Sequence, residues 1–582
     1  MPIKFGLSNF KGFKKLDPID LKPLTVLCGI NNSGKSSIIQ SLLLMKQSNA
    51  IGRKITTDYI NEPIILNGIY AHLGDWADVI YDHSTNKEMG VSWKISEELK
   101  ASDIDLDFAI PLPIRLETEI NVKFCYDNDN LIEAENRNKI LVGHFIFCDL
   151  ENNFSFEIAK AGRKFYKLKL RPSNWAIFFL RVIYNRYDYE IISALEKAFK
   201  TKFFHNYPIG EIVLEKVQIK FDGIYPTSLQ INDFAKQIHV ILTKIKNEDL
   251  QHIKAVPKSF SNLINLTLDH LNTYLQQQKS PPEKLASKNI REVAVRDELT
   301  MFTQEKEISL LEFDLSYRLT ANYLKNLWSA MRYIGPLREA PKRFYLFDDL
   351  RKIDIGINGE YTPLVLAIEQ EQQITPYYRC IYEEKQIKKY EFRESDRLLE
   401  ALNWWLSECM KLPKITSVVG LSGMPGQVNL NSSGIDVKLP DVGFGVSQIL
   451  PILVECLRTP KNETIILEQP EIHLHPSLQS KLADFLICMA KSGKRLVVET
   501  HSEHLINRLC LRIAQEESGE IKELLNTLFV SFDEKQQTSV IKSIQINEFG
   551  EIENWPVGFF DENDARELMT ASLKKRMAKS KR

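Results

Sequence analysis

The sequence predicts an α/β fold built around a phosphate-cradling loop, on three observations. Residues 29–36 read Gly29-Ile30-Asn31-Asn32-Ser33-Gly34-Lys35-Ser36, which fits G-x-x-x-x-G-K-[ST] at every fixed position. Residues 464–468 form an apolar run ending in Glu468. Residues 495–502 form a second such run that delivers His501 at its tip. Buried strands that end in chemistry-bearing residues are the mark of an open α/β sheet.

The opening element is the most informative. Residues 3–7 and 12–13 read as strands of an edge hairpin, residues 23–28 as a buried strand, and residues 37–44 as a helix. Strand, glycine turn and helix start aim backbone N–H groups at an anion, and the helix dipole favours negative charge there. Gly29 and Gly34 permit the turn. Asn31, Asn32, Ser33, Gly34, Lys35, Ser36 and Ser37 line it. Lys35 is placed to reach the outer phosphates of a nucleoside triphosphate, and Ser36 to offer its hydroxyl to Mg²⁺.

Bulk composition narrows the classes. The chain has 582 residues, so several packed units are expected. Apolar residues are 44% and charged residues 26%, a globular composition. Lys plus Arg (75) balances Asp plus Glu (76), so any nucleic-acid contact must be a local patch. Eight cysteines are scattered singly with no C-x-x-C pair, which reads as buried thiols in a reducing cytoplasm. The N-terminus lacks a signal-peptide pattern. The most apolar stretch, residues 175–180, stops at Arg181 and is too short to span a bilayer, so no membrane partner is expected.

Along the chain the pattern divides into five parts. Residues 1–50 form a compact opening that carries the P-loop. Residues 51–231 read as a β-rich arm, with strands at 120–124, 141–147 and 165–170 and a helical piece around 189–200. Residues 232–332 read as a helical insertion broken at Pro257 and Pro281-Pro282, without sustained heptads. Residues 333–530 return to mixed strand and helix. Residues 531–582 form a small C-terminal domain and a tail in which six of the last nine residues are Lys or Arg. Asn358-Gly359 reads as a tight hairpin turn.

Two further constellations complete the nucleotide machinery. Glu468-Gln469-Pro470-Glu471-Ile472-His473-Leu474-His475-Pro476 has the Walker B arrangement, with Glu468 placed to meet Mg²⁺ directly or through water. Gly443-Phe444-Gly445-Val446-Ser447 leads into a helix over 449–457, and small residues at a helix N-terminus make a second phosphate-binding surface.

The order of these motifs resembles the ABC-type ATPases of the RecF, SMC and OLD branch: Asn9-Phe10-Lys11-Gly12-Phe13, P-loop, long insertion, glycine-serine turn, the Walker B segment, and Glu499-Thr500-His501-Ser502. Residues 333–341 and 554–562 resemble a bacterial subgroup with a short C-terminal domain of unknown function. The likeness implies an α/β P-loop NTPase of ABC type, a RecF/SMC-like head with β-rich and helical insertions. It implies ATP and Mg²⁺ as cofactors and a homodimer bridged by ATP, or a larger assembly built from it. Gly443, Gly445 and Ser447 would then face the γ-phosphate of the other copy, although the family's serine usually precedes its glycine. His501 matches the family's switch histidine.

One departure bears on rate. The family usually has Asp followed by a catalytic Glu, whereas here the pair is Glu468-Gln469. A glutamine can orient a water but cannot take its proton as a carboxylate does. Slow hydrolysis is therefore expected, with Glu471 a substitute base. Arg338 could stabilise transition-state charge or fix an inter-lobe salt bridge. His473, His475, His501 and His504 also invite a zinc reading, against which the resemblance accounts for the first three. The resemblance further implies antiphage defence, with a nuclease or toxin effector encoded nearby and nucleic acid as a possible trigger. The alternative is an ATP-locked scaffold that holds and releases that effector, with hydrolysis incidental.

Overall fold

The structure is a computed structural model that describes residues 3–51, 63–99, 114–126, 140–151, 154–161, 165–171, 212–222, 224–231, 243, 307–309, 315–345, 354–383, 386–419, 426–432, 434–554 and 556. The chain forms two compact units. The first comprises Met1–Ala50, Leu66–Ser84 and Asn326–Arg582, and the second Ile51–Ile65 and Thr85–Lys325.

The first unit opens with β1 (Ile3–Phe10) and β2 (Phe13–Leu21), paired antiparallel. Then come β3 (Leu24–Gly29), the P-loop, α1 (Lys35–Ile51) and the short α2 (Trp76–Val79).

In the second unit, β4 (Met89–Leu99), β5 (Ile114–Tyr126), β6 (Ile140–Asp149), β7 (Phe154–Lys160), β8 (Tyr166–Arg171), β9 (Ile212–Asp222), β10 (Tyr225–Ile231) and β11 (Glu307–Ser309) form an antiparallel array. Each strand pairs with the next in sequence. The strands expected at 120–124, 141–147 and 165–170 fall within β5, β6 and β8. Alternation in β6 buries Phe145 and Phe147 on one face. Tyr317, on α3 (Leu315–Ala330), packs edge-on against Phe147 and Phe156 at 5.1 and 5.0 Å and donates its hydroxyl to Pro226 O at 2.8 Å. The helix expected around 189–200, the apolar stretch 175–180, most of 232–314 and the basic tail lie outside the described residues.

The first unit resumes with β12 (Arg332–Ile334), α4 (Thr362–Glu369) and the hairpin β13 (Tyr377–Glu383) and β14 (Gln386–Arg393). Next come α5 (Leu398–Trp404) and a small sheet of β15 (Lys414–Val419), β16 (Gln427–Ser432) and β17 (Ile435–Lys438). The remainder is α6 (Phe444–Arg458), β18 (Thr464–Glu468), α7 (Pro476–Lys491), β19 (Arg495–Glu499), α8 (Glu503–Gln515), α9 (Glu520–Leu524), β20 (Leu525–Asp533) and β21 (Thr538–Ser543).

Six strands make the central sheet, in the order β12-β18-β19-β3-β20-β21. All neighbours are parallel except β20 and β21. Strands β3, β18 and β19 are buried along nearly their whole length, which explains their continuous apolar runs: a parallel strand is covered on both faces. Leu450 and Leu453 of α6 and Phe485 and Leu486 of α7 belong to the covering core. Trp405 meets Phe485 edge-on at 4.9 Å.

Register then sets the site. Glu468 pairs with Glu499, and Glu499 with Leu27, so three parallel strands end at one level. Ligands of open α/β sheets bind at such carboxyl ends. The turn at Asn358-Gly359 differs from the expected hairpin because it feeds α4. Gly359 has φ +71°, and a Cβ there would lie 2.6 Å from the Pro451 ring of α6.

Candidate functional site

The P-loop starts where β3 must turn sharply. Gly29 has φ +141°, and a Cβ there would sit 2.1 Å from Val530 O on β20. Gly34 has φ +102°, with Ser539 Oγ 2.6 Å from a built Cβ. Asn32 is also left-handed, at φ 57°. Such a chain of turns gathers N–H groups into an anion-binding nest. Asn31 and Asn32 are exposed, whereas Ser33 is buried with an unpartnered hydroxyl. Ser37 N donates to Gly34 O at 3.1 Å, closing the first turn of α1. The Lys35 amine donates to Gly29 O (3.1 Å) and Ile30 O (2.6 Å). Burial lowers its pKa, opposed by the charge of Glu499.

Facing Lys35 is a group of carboxylates. Ser36 Oγ donates to Glu499 Oε1 at 3.0 Å, and Glu499 Oε2 is buried without a partner. Burial raises the Glu499 pKa, opposed by Ser36 and Lys35. Glu468, its register partner, is pushed up to about 7 by burial and then by Glu499, and accepts the Tyr333 hydroxyl at 3.2 Å. Two like charges this close favour a divalent cation between them. A hydroxyl and one or two carboxylates, with substrate phosphates and waters, is the donor set Mg²⁺ takes. The residues present therefore fit Mg²⁺ and a triphosphate.

The turn after β18 carries the remaining residues. Gln469 is left-handed at φ 42°, and its N–H donates to Glu499 O at 2.8 Å. Glu471 is 7% exposed and its Oε1 accepts the backbone N–H of His501 at 2.6 Å. Burial raises its pKa, opposed by the backbone N–H of His501 and by the Thr500 side chain. The exposed His501 ring is shifted down by desolvation and by Lys35, which favours its neutral form. Arg338 Nη2 donates to Glu468 O (3.1 Å) and Gln469 O (3.2 Å), so this arginine binds the turn itself.

The other histidines do not converge. His473 packs edge-on against Phe444 at 5.0 Å, His475 caps α7 by accepting Ser477 N, and His504 is exposed on α8. Among the described residues, no group of three or more His, Cys, Asp or Glu side chains is arranged to hold a metal ion.

The structure brings Lys35, Ser36, Glu468, Gln469, Glu471 and His501 to one end of the sheet. The glycine-serine turn forms the N-terminus of α6. Gly443 is exposed there with no atom within 4 Å of a built Cβ, and a Cβ built on Gly445 would lie 3.5 Å from His473 O. Ser447 is buried and donates to Phe444 O at 2.7 Å within its own helix, so its hydroxyl is engaged. Sequence reasoning assigned no role to Glu499 or Tyr333. The available signal was that β19, like β18, is an apolar run tipped by an acid.

Fold and site together define a P-loop ATPase of α/β class and ABC type. The chain belongs to the AAA ATPase domain family, which matches residues 1–506. A second family, described as a protein of unknown function (DUF3696), matches residues 526–568. No curated protein matches the chain. Among solved structures, it is similar to the SMC head domain from Thermotoga maritima, at 9% identity and TM-score 0.32, covering 94% of this chain and 100% of that one. It is also similar to the Smc head domain with an extended coiled coil bound to the C-terminal domain of ScpA from Pyrococcus furiosus, at 9% identity and TM-score 0.31, covering 94% and 97%. No helix among the described residues is long and apolar enough to cross a membrane.

Proposed function

We propose that this chain binds Mg·ATP on the P-loop and hydrolyses it slowly, using the ATP-bound state to couple two copies of itself. The observation that carries the reading is the Ser36–Glu499 hydrogen bond with Glu468 beside it in register, next to Lys35. Mg²⁺, held by Ser36 and Glu468 with Glu499 alongside, would neutralise charge on the phosphates. In hydrolysis a water oxygen forms the new bond to the γ-phosphorus, the bond to the β–γ bridging oxygen breaks, and the water proton passes to Glu471. Gln469 orients that water, and His501 neighbours the γ-phosphate. Gln469 cannot take a proton, and the resemblance gives His501 the part of γ-phosphate sensor, so Glu471 is the group proposed for that task.

The motif order supports a place in the RecF, SMC and OLD branch and a cytoplasmic role in antiphage defence. There the ATP-bound homodimer would sense nucleic acid or regulate a nuclease or toxin partner. The Gln469 substitution favours the second reading, an ATP-locked scaffold for that partner.

Nucleotide binding and phosphate release by the full chain test the first reading. Lys35→Ala should abolish ATP binding. Glu471→Gln should retain binding and lose about 10²–10⁴-fold in turnover, while Gln469→Glu should raise turnover. Unchanged turnover in Glu471→Gln would remove Glu471 as base. Stimulation by duplex DNA supports nucleic-acid sensing, whereas a partner retained in ATP without turnover supports the scaffold.

A further inference from the structure

Arg338 lies 130 residues before Glu468 in sequence yet touches the tip of the Walker B strand. It is 7% exposed. Nη2 binds the carbonyls of Glu468 and Gln469, while Nε and Nη1 have no partner. An unpartnered buried guanidinium N–H is costly, and a native structure keeps one where something completes it. The complement lies in the same site. Glu471 is equally buried, its Oε1 is taken by the His501 N–H, and its Oε2 is unpartnered. Glu471 is the acid that acts on the charge of Arg338, and Arg338 in turn acts on Glu471, after burial, the backbone N–H groups of His501 and Glu471, and the Thr500 side chain.

We propose that Arg338 is a positioning residue for hydrolysis: one edge of its guanidinium fixes the turn at Gln469, and its remaining N–H groups orient the Glu471 carboxylate, directly or through one water. The planar fork of arginine suits this double task, and a lysine point charge does not. The inference rests on the reading of Glu471 as proton acceptor and extends it to a residue from the loop after β12. Arg338 touches neither phosphate nor water nucleophile in this scheme. Its removal should therefore lower kcat and spare nucleotide affinity.

A double-mutant cycle on the full chain tests this. Arg338→Met should lower kcat by about 10²-fold, the scale of a misplaced reacting group, with ATP affinity changed less than about twofold. Arg338→Lys should recover at most part of the rate. In a Glu471→Gln background, Arg338→Met should cost far less than in the wild type, only what its hold on the Gln469 turn contributes, because residues that act as a unit are not additive. A full multiplicative loss in that background, or an equal loss of ATP affinity, overturns the proposal while leaving Glu471 as base. Wild-type turnover in Glu471→Gln alone would instead remove the base and this inference with it. Thermal melting of each variant establishes folding. Should Arg338→Met not fold, the same cycle is run with Arg338→Lys, with the same criteria.

Discussion

Single residues in this site are held by backbone geometry as much as by side-chain chemistry. Gly29 and Gly443 make the contrast. Gly29 combines φ +141° with a carbonyl 2.1 Å from any Cβ, and the obstacle is backbone of a neighbouring strand that cannot swing away. Gly29→Ala should destabilise the fold by about 3 kcal/mol, from left-handed strain plus the shift forced on β20. Gly443 has φ −43° and open space around it. Gly443→Ala should change stability by less than about 0.5 kcal/mol. Urea unfolding of the two variants checks both, and equal losses would contradict the geometry. Gln469 obeys the same logic: its left-handed backbone is pinned by the Glu499 carbonyl and by Arg338, so its position is set independently of its side chain.

At the scale of elements, α6 links the glycine-serine turn at one end to Lys494 at the other. Lys494 is fully buried, and its amine donates to Cys456 O (2.6 Å) and Leu457 O (2.9 Å) in the last turn of α6. A neutral amine still has two N–H donors, which suffices for two carbonyls. Burial lowers its pKa to about 7, against about 10.4 for a free lysine. Between these values the unfolded chain binds more protons than the folded one, so stability rises with pH across that window. Below about 7 the cost of burying the charge is present in full. The melting temperature of the wild type should therefore climb from pH 7 to 9 relative to Lys494→Met, and parallel profiles would show that Lys494 does not titrate there. Elements also show what the sequence could tell. β3, β18 and β19 were legible because each is a short apolar run ending in a motif. The pairing of Glu468 with Glu499, and the reach of Tyr333 and Arg338 to the tip of β18, were not. They depend on parallel register between strands far apart in sequence, which no local pattern encodes. The β13–β14 hairpin and the β15–β17 sheet were likewise not foreseen, although Pro425-Gly426 and Ser433-Gly434 are turn signals in the sequence of the latter.

For the whole molecule the consequence lies in assembly. Within one chain Gly445 at the start of α6 faces the loop after β18, where a Cβ built on it would meet His473 and Leu474, while Gly443 and Phe444 are exposed. An exposed helix N-terminus with aligned N–H groups suits an anion supplied from outside the chain. If that anion is the triphosphate of a second copy, a negative charge at Gly443 should block closure without harming the fold. Aspartate is the best probe, because Gly443 is the N-cap of α6, where aspartate favours the helix. In the slow Glu471→Gln background, light scattering should show a dimer in Mg·ATP and a monomer without it. Adding Gly443→Asp should leave ATP binding and melting temperature intact while returning the species to monomer. A dimer that persists in that variant would mean that the α6 N-terminus does not meet the partner's nucleotide, and that two copies, if they associate, use another face.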